Sequence, residues 1–176
     1  MRNSDVDAAI YWLSRMLEGG EDPIYIARRL VRFASEDIGL ADTNALNLTI
    51  NVFQACQFIG MPECDVHLVE AVTYLSLAPK SNAIYKARLA AAKDVKETAN
   101  DPVPLQIRNA PTKLMKDLGY GKDYKLAHYA KDKLATMKTM PLSVAGHEYY
   151  LPTTEGNEKR FKERLLQIKA WHKQHR

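Results

Sequence analysis

Basic and aromatic side chains alternate over residues 122–133, in a pattern that suits contact with nucleic acid. Lysines neutralise phosphates, while aromatic rings stack on exposed bases. The alternating side chains are Lys122, Tyr124, Lys125, His128, Tyr129, Lys131 and Lys133. Tyrosine is also enriched in protein interfaces, because it joins an apolar ring to a polar hydroxyl. The pattern therefore leaves two interpretations open: a DNA contact, and the anchoring of a loop or subunit contact.

The sequence contains none of the motifs on which the common catalytic sites are built. A nucleotide-hydrolysing domain needs a glycine-rich loop that ends in Lys and Ser or Thr, because backbone N–H groups and the ammonium surround the phosphates. The stretch Gly119-Tyr120-Gly121-Lys122 has the wrong spacing for that loop and predicts a turn. Zinc-protease, paired-cysteine zinc and nucleophile-elbow motifs are also missing. We therefore expect a chain that is not itself an enzyme, with no catalytic residue, cofactor or metal.

Histidines and cysteines offer little further chemistry. His172 and His175 lie three residues apart, but a two-histidine site at a chain end lacks further ligands, so we interpret them as part of a frayed tail. Cys56 and Cys64 fall in or beside helical patterns. Eight residues of helix would separate their Cα atoms by about 12 Å, which is too far for a disulfide. An enzyme with an unrecognised helical site would need perturbed carboxylates or histidines converging in a pocket.

Composition predicts a folded, soluble chain. Its 176 residues, 46% of them hydrophobic and 26% charged, are enough for one domain or two small ones. Free thiols suit a reducing compartment, and the N-terminus shows no basic and apolar leader. No apolar run approaches the roughly 20 residues of a membrane span. We therefore expect a cytoplasmic protein that makes no membrane contact.

Capping residues and helical spacing of apolar side chains predict an all-α fold over the first hundred residues. The expected helices run from Ser4-Asp5 to Gly19, from Asp22-Pro23 to about Ser35, from Asp42 or Thr43 to near Gly60, from Met61-Pro62 to before Pro79, and from Ser81 to about Ala99. The second helix has one apolar face, and its arginines project from the others. We expect the arginine-bearing side of this helix to be a solvated face, and the alternative is an anion site.

A break at residues 100–104 predicts a domain boundary. Two prolines after Asn-Asp cannot continue a helix, so we divide the chain into a bundle over 1–100 and a second domain over 101–176. The formal net charge is −4 over residues 1–101 and +8 over residues 102–176. In the second domain we expect a short helix from Pro111-Thr112 to Leu118, ordered loop over 122–152, and a helix from Glu155 to about His172.

Several long stretches carry a resemblance to a known family. They are SDVDAAIYWLSRML at 4–17, GGEDPIYIARRLVRFASEDIGLAD at 19–42, LSLAPKSNAIY at 75–85 and VPLQIRNAPTKLMKDLGYGKDYKLAH at 103–128. The chain resembles the C-terminal part of the RarA group of AAA+ ATPases, also called MgsA, and is similar to the Werner helicase-interacting protein of eukaryotes. The resemblance covers nearly the whole chain.

This resemblance implies a fold and a role. The expected fold is a helical bundle like the collar of clamp-loader subunits, followed by a smaller, loop-rich helical domain. In the family an ATPase core and lid precede this region, so the chain would be a fragment, with ATP and Mg²⁺ bound elsewhere in the full-length protein. It would form a homo-oligomer, with a tetramer as the expected state, and meet replication-fork proteins and DNA in the nucleoid at stalled forks, during replication-associated recombination and repair.

Two functions remain open at this point. One is oligomerisation, and the alternative is a nucleic-acid-binding module that uses the basic C-terminal half. The resemblance offers Arg28, Arg29, Arg32, Glu36, Asp37, Lys80, Asn82, Arg108, Asn109, Lys113 and Tyr120 as candidate contact residues. The basic and aromatic pattern adds Lys122, Tyr124, Lys125 and Tyr129 as candidates for a subunit or DNA contact.

Overall fold

The computed structural model describes residues 1–175, and over these residues the fold is all-α, with no strand. This confirms the predicted fold class. The helices are α1 (Val6–Glu18), α2 (Pro23–Phe33), α3 (Ala45–Ile59), α4 (Asp65–Leu77), α5 (Ala83–Glu97), α6 (Lys113–Asp117) and α7 (Glu158–Gln174). The helices expected before residue 100 are therefore confirmed, as are the short helix after Thr112 and the C-terminal helix.

Side-chain caps fix where the first two helices begin. The Asp5 carboxylate accepts a hydrogen bond from the backbone N–H of Ala8 at 3.0 Å. The Asp22 carboxylate does the same for Ile24 at 2.9 Å, and Pro23 occupies the first helical turn, where a backbone N–H has no helical acceptor. The chain leaves α2 through a π-helical turn at Ala34–Ile38. The caps are therefore the local signals that made these helices predictable.

The chain forms two compact units, and the first contains residues 1–88 and 150–162. Within it, α1 packs on α4, and α2 packs on α3. Leu13, Leu30, Leu68 and Leu75 are buried in the core between these helices. The domain boundary that the sequence places near residue 101 stays a prediction.

Two buried thiols lie side by side in this core. Cys56 and Cys64 are both free and buried, and burial raises the pKa of Cys56 to about 12, with a further contribution from its contact with Cys64. The expected separation of about 12 Å was therefore wrong. Helix α3 ends at Ile59, and Gly60, with a φ of 73°, turns the chain back before α4 begins, so a continuous helical rise does not apply.

Residues 150–162 belong to the first unit and contain a buried carboxylate, which also accepts a hydrogen bond from Ser81. Glu158 has no solvent exposure. Its Oε1 accepts from the Tyr150 hydroxyl at 2.9 Å, and its Oε2 accepts from the Thr153 backbone N–H at 3.1 Å. Burial raises the pKa of Glu158, but hydrogen bonds from Ser81, Thr153 and Tyr150 outweigh it and hold that pKa below its usual value. The carboxylate therefore stays charged and fully partnered at neutral pH.

A close backbone approach completes this attachment. The N–H of Asn157 donates to the carbonyl of Ala41 at 2.7 Å. Gly156 has a φ of +49°, and a Cβ there would overlap the same Ala41 carbonyl and meet Pro79 Cγ at 2.7 Å. Only glycine satisfies both the dihedral angle and the lack of space.

The second unit contains residues 89–149 and the described residues from 163 onward. The Thr112 hydroxyl caps α6 by accepting from the Met115 N–H at 3.3 Å. Between residues 122 and 152 the backbone is irregular, with 3₁₀ turns at Ala127–Tyr129 and Leu142–Val144, which confirms the expected ordered loop. Few side chains of this unit are buried, Val144 being one of them. Hydrogen bonds and ion pairs therefore carry much of its order.

Asp94 on α5 holds the segment at residues 147–149. Its Oδ2 lies 2.7 Å from His147 Nδ1 and accepts from the Tyr149 hydroxyl at 2.9 Å. The hydrogen bond from His147, followed by that from Tyr149, lowers the pKa of the Asp94 carboxyl. The charged carboxylate is therefore the form that the fold stabilises.

The end of α7 is ordered, which corrects the interpretation of the two histidines as a frayed tail. His172 lies within α7, and the His175 ring stacks on Trp171 with centroids 4.2 Å apart and an interplanar angle of 14°. The Trp171 indole N–H donates to Asp132 Oδ2 at 2.9 Å. The stacked His175 ring and the hydrogen bond from Trp171 to Asp132 are thus the contacts at this end of α7.

Substitution Asp94→Asn is expected to lower the thermal stability of the chain at neutral pH. Because the folded pKa of Asp94 is depressed, its contribution is fully present above the ordinary aspartate pKa and is lost as the pH falls through the lower, folded value. The midpoint difference between wild type and Asp94→Asn should therefore shrink below about pH 4. Thermal unfolding followed by circular dichroism from neutral to acid pH measures this, and a pH-independent difference would contradict it.

Candidate functional site

An apolar groove opens between α1 and α2 of the first unit. It has a volume of about 540 Å³, and its lining includes Trp12, Leu13, Met16, Tyr25 and Ile26. Trp12 is 60% exposed, and Met16 and Tyr25 are also exposed. We call this surface the α1–α2 groove. In this lining the exposed aromatic side chains lie near the buried Leu13 and Leu30. Large exposed apolar patches mark interaction sites in soluble proteins.

Arginines border the α1–α2 groove. The Arg28 guanidinium lies 5.2 Å from the centre of the Tyr25 ring, and the Arg15 guanidinium lies 5.8 Å from that of Trp12. Arg29 also lines the groove. Two of the predicted contact residues, Arg28 and Arg29, are therefore brought together beside exposed aromatic rings.

A neighbouring surface of the first unit carries paired charges. Arg32 Nε lies 2.6 Å from Glu36 Oε2, and Arg2 Nε lies 2.7 Å from Asp37 Oδ1. The hydrogen bond from Arg32 is the main cause that lowers the pKa of Glu36. Three predicted contact residues, Arg32, Glu36 and Asp37, are thus already engaged in ion pairs within the fold.

The motif at residues 79–82 joins α4 to α5. The Lys80 ammonium donates to the backbone carbonyls of Ala78 at 2.6 Å and Ser76 at 2.9 Å, and burial lowers its pKa. The Ser81 hydroxyl accepts from the N–H of Ala83 at the start of α5. Asn82 is exposed. Lys80 therefore caps the carbonyl end of α4, a structural task that the resemblance alone did not suggest.

In the second unit, Arg108 and Tyr120 form a local pair. Arg108 Nε donates to the carbonyl of Val103 at 2.6 Å, and its Nη1 donates to the Tyr120 hydroxyl at 3.2 Å. The guanidinium also lies 5.0 Å from the centre of the Tyr120 ring. Asn109 and Lys113 are exposed and make no side-chain contact of this kind among the described residues. The candidates of this segment thus divide into an internal pair and two free surface groups.

The alternating basic and aromatic residues are open to solvent. Lys122, Tyr124 and Lys125 are exposed, and Tyr129 is 89% exposed. We call residues 122–133 the Lys–Tyr loop. Lys133 differs from the exposed lysines Lys122 and Lys125 of this loop, because the Lys133 ammonium donates a hydrogen bond to the carbonyl of His128 at 2.7 Å. A tyrosine this exposed contributes nothing to the core, so its ring is available to a partner.

Sequence reasoning missed a basic cleft of about 970 Å³ in the second unit. We call it the α7 cleft. Its lining includes Lys138, Glu148, Lys169, His172, Lys173 and His175. Lys169, His172 and Lys173 have the i, i+3, i+4 spacing of one helix face, which was the signal available in the sequence. Lys138 is too distant in sequence for any local pattern to have included it.

The described residues contain neither a metal-binding cluster nor a membrane-spanning helix. Among residues 1–175, no three His, Cys, Asp or Glu side chains are grouped closely enough to hold a metal ion. Over the same part of the chain, no helix is both long and apolar enough to cross a membrane.

The described chain is all-helical and carries an exposed aromatic groove and exposed basic surfaces. Its residues 3–169 match the family described as MgsA AAA+ ATPase C terminal, and the chain belongs to that family. The resemblance drawn from its sequence is thereby confirmed.

Named relatives support this membership. The chain is 48% identical over 177 residues to Replication-associated recombination protein A of Coxiella burnetii, covering 100% of this chain and 40% of that protein. It is 42% identical over 172 residues to the Escherichia coli K12 protein of the same name, covering 97% of this chain and 38% of that one. ATPase WRNIP1 of Dictyostelium discoideum is 44% identical over 165 residues, with 94% and 18% covered. The chain thus spans about two fifths of the length of these two bacterial relatives.

Proposed function

We propose that this chain is the assembly part of a replication-associated recombination ATPase. It holds copies of itself together, as a tetramer, in a protein that acts with other replication-fork proteins at stalled forks. ATP and Mg²⁺ are bound and hydrolysed by residues outside this chain. The relatives' names support the replication and recombination role, and the α1–α2 groove is the observation that carries the assembly role.

The side chains of the α1–α2 groove are those that interfaces favour. Interface cores are enriched in Trp, Tyr, Met and Arg, and the residues that dominate binding energy are mostly Trp, Tyr and Arg. Trp12, Met16, Tyr25 and the bordering Arg28 provide this set on one surface. Covering such a surface with a second copy removes apolar area from water at about 25 cal/mol per Å². A stable interface of this kind buries more than about 1,000 Å² in total.

Substitution Trp12→Ala is expected to weaken self-association about thirtyfold, since a central aromatic contact contributes about 2 kcal/mol. The matched control is Phe58→Ala, because Phe58 is an exposed aromatic residue of the same unit, 83% exposed, outside the groove lining. Sedimentation equilibrium of the chain at several concentrations measures the effect. A wild type that stays monomeric at high micromolar concentration would refute assembly, and equal effects of the two substitutions would refute the groove as its site.

The second candidate function is nucleic-acid binding, and the exposed Lys–Tyr loop favours it. Lys122 and Lys125 alternate with Tyr124 there, and Tyr129 lies almost wholly in solvent. Cations that neutralise phosphates and rings that stack on bases are the two contacts that single strands require. The net charge of +8 over residues 102–176 adds a favourable field. Assembly and strand binding are compatible, because they use different surfaces of the chain.

Strand binding predicts saturable, salt-sensitive association with a single-stranded oligothymidylate. Displaced counterions make affinity fall with salt, so we expect at least tenfold weaker binding at about 200 mM than at about 50 mM salt. Fluorescence anisotropy of a labelled strand measures this with the intact chain. No binding at the lower salt concentration would eliminate this candidate and leave the assembly proposal standing.

A further inference from the structure

The α7 cleft combines positive charge with an apolar wall. Its lysines are Lys138, Lys169 and Lys173, and Glu148 is the carboxylate of its described lining. Met137, Met140 and Leu142 contribute apolar surface to the same cleft. Its volume of about 970 Å³ lies at the upper end of the range for sites that hold small ligands. The cleft therefore has the size and the two surface types that a ligand with charged and apolar parts requires.

The positive charge of the α7 cleft is only partly balanced. Lys169 Nζ lies 2.7 Å from Glu148 Oε2, so that carboxylate is already engaged. Within the part of the chain that the structure describes, neither Lys138 nor Lys173 forms an ion pair. Two unpaired ammonium groups that line one concave surface attract an anionic ligand, because the concave shape concentrates their field.

We propose that the α7 cleft binds the phosphodiester backbone of a single nucleic-acid strand. Lys138 and Lys173 contact phosphates, and Met137 and Met140 offer apolar contact to the sugars and bases. This inference rests on the second candidate function and adds a second contact region to it: the α7 cleft makes the stronger contacts with the strand, and the Lys–Tyr loop makes the weaker ones. A single strand suits the cleft better than a duplex, because its unpaired bases present apolar faces that a concave, methionine-lined wall can contact.

Charge-matched double substitutions separate the α7 cleft from the Lys–Tyr loop. Lys138→Ala with Lys173→Ala removes two positive charges from the cleft, and Lys122→Ala with Lys125→Ala removes two from the loop. Each variant of the intact chain is titrated with an oligothymidylate of about 15 nucleotides. We expect the cleft variant to bind at least tenfold more weakly than the loop variant, and its log–log salt slope to fall by about 1.4, the loss of two phosphate contacts.

Photo-crosslinking locates the strand without any substitution. A bromouracil-substituted oligonucleotide is irradiated on the wild-type chain, and the modified peptides are identified by mass spectrometry. Crosslinks in residues 136–142 or 169–175 are expected. Crosslinks confined to residues 120–133 would overturn the α7 cleft as the site, even if the cleft variant proved unstable in thermal unfolding.

The outcomes distinguish failure of the site from failure of the function. A wild-type chain that does not bind the strand refutes both nucleic-acid binding and the α7 cleft. Strand binding that is weakened only by the loop substitutions keeps the function and refutes the cleft. Equal weakening by both double substitutions assigns the effect to net charge and also refutes the cleft.

Discussion

The Glu158 carboxylate has no contact with solvent, and Tyr150 and Thr153 of its own segment donate hydrogen bonds to it. A hydrogen bond from Ser81 to this carboxylate, and one from the Asn157 N–H to the Ala41 carbonyl, join residues 150–162 to the rest of the first unit. Burying a charge is strongly unfavourable unless hydrogen bonds replace its hydration. Gly156 allows the backbone to approach Ala41 closely enough for this arrangement. The first unit therefore includes residues 150–162, and the second unit is built from the segment before them and the segment after them.

The candidate contact residues fall into two groups: those bonded within their own unit and those exposed to solvent. Arg32, Lys80 and Arg108 are engaged by groups of their own unit, so much of their hydrogen-bonding capacity is used within the fold. Arg28 and Tyr129, by contrast, are open to a partner. The chain belongs to the MgsA C-terminal family. The assembly and strand-binding proposals are argued from its exposed aromatic and basic side chains.

Local signals made the helices predictable, and long-range contacts did not follow from them. Asp5 and Thr112 mark helix starts in the sequence because each caps a backbone N–H three residues away. The contact between Cys56 and Cys64 depends on a chain reversal at Gly60, so helical arithmetic gave the wrong distance. The α7 cleft unites residues as distant in sequence as Lys138 and Lys173, and no periodic pattern links them. Glu158 likewise accepts a hydrogen bond from Ser81, which lies in a distant part of the sequence, so no local pattern predicts this contact.

The free energy of unfolding of Glu158→Ala tests this account most directly. Removing the carboxylate leaves the hydroxyls of Tyr150 and Thr153 without their acceptor, so we expect a loss of about 3 kcal/mol in chemical denaturation. Glu155→Ala, at an exposed position three residues earlier, should change the same free energy by less than about 0.5 kcal/mol. Equal, small effects of the two substitutions would contradict the claim that Glu158 holds the returning segment in place.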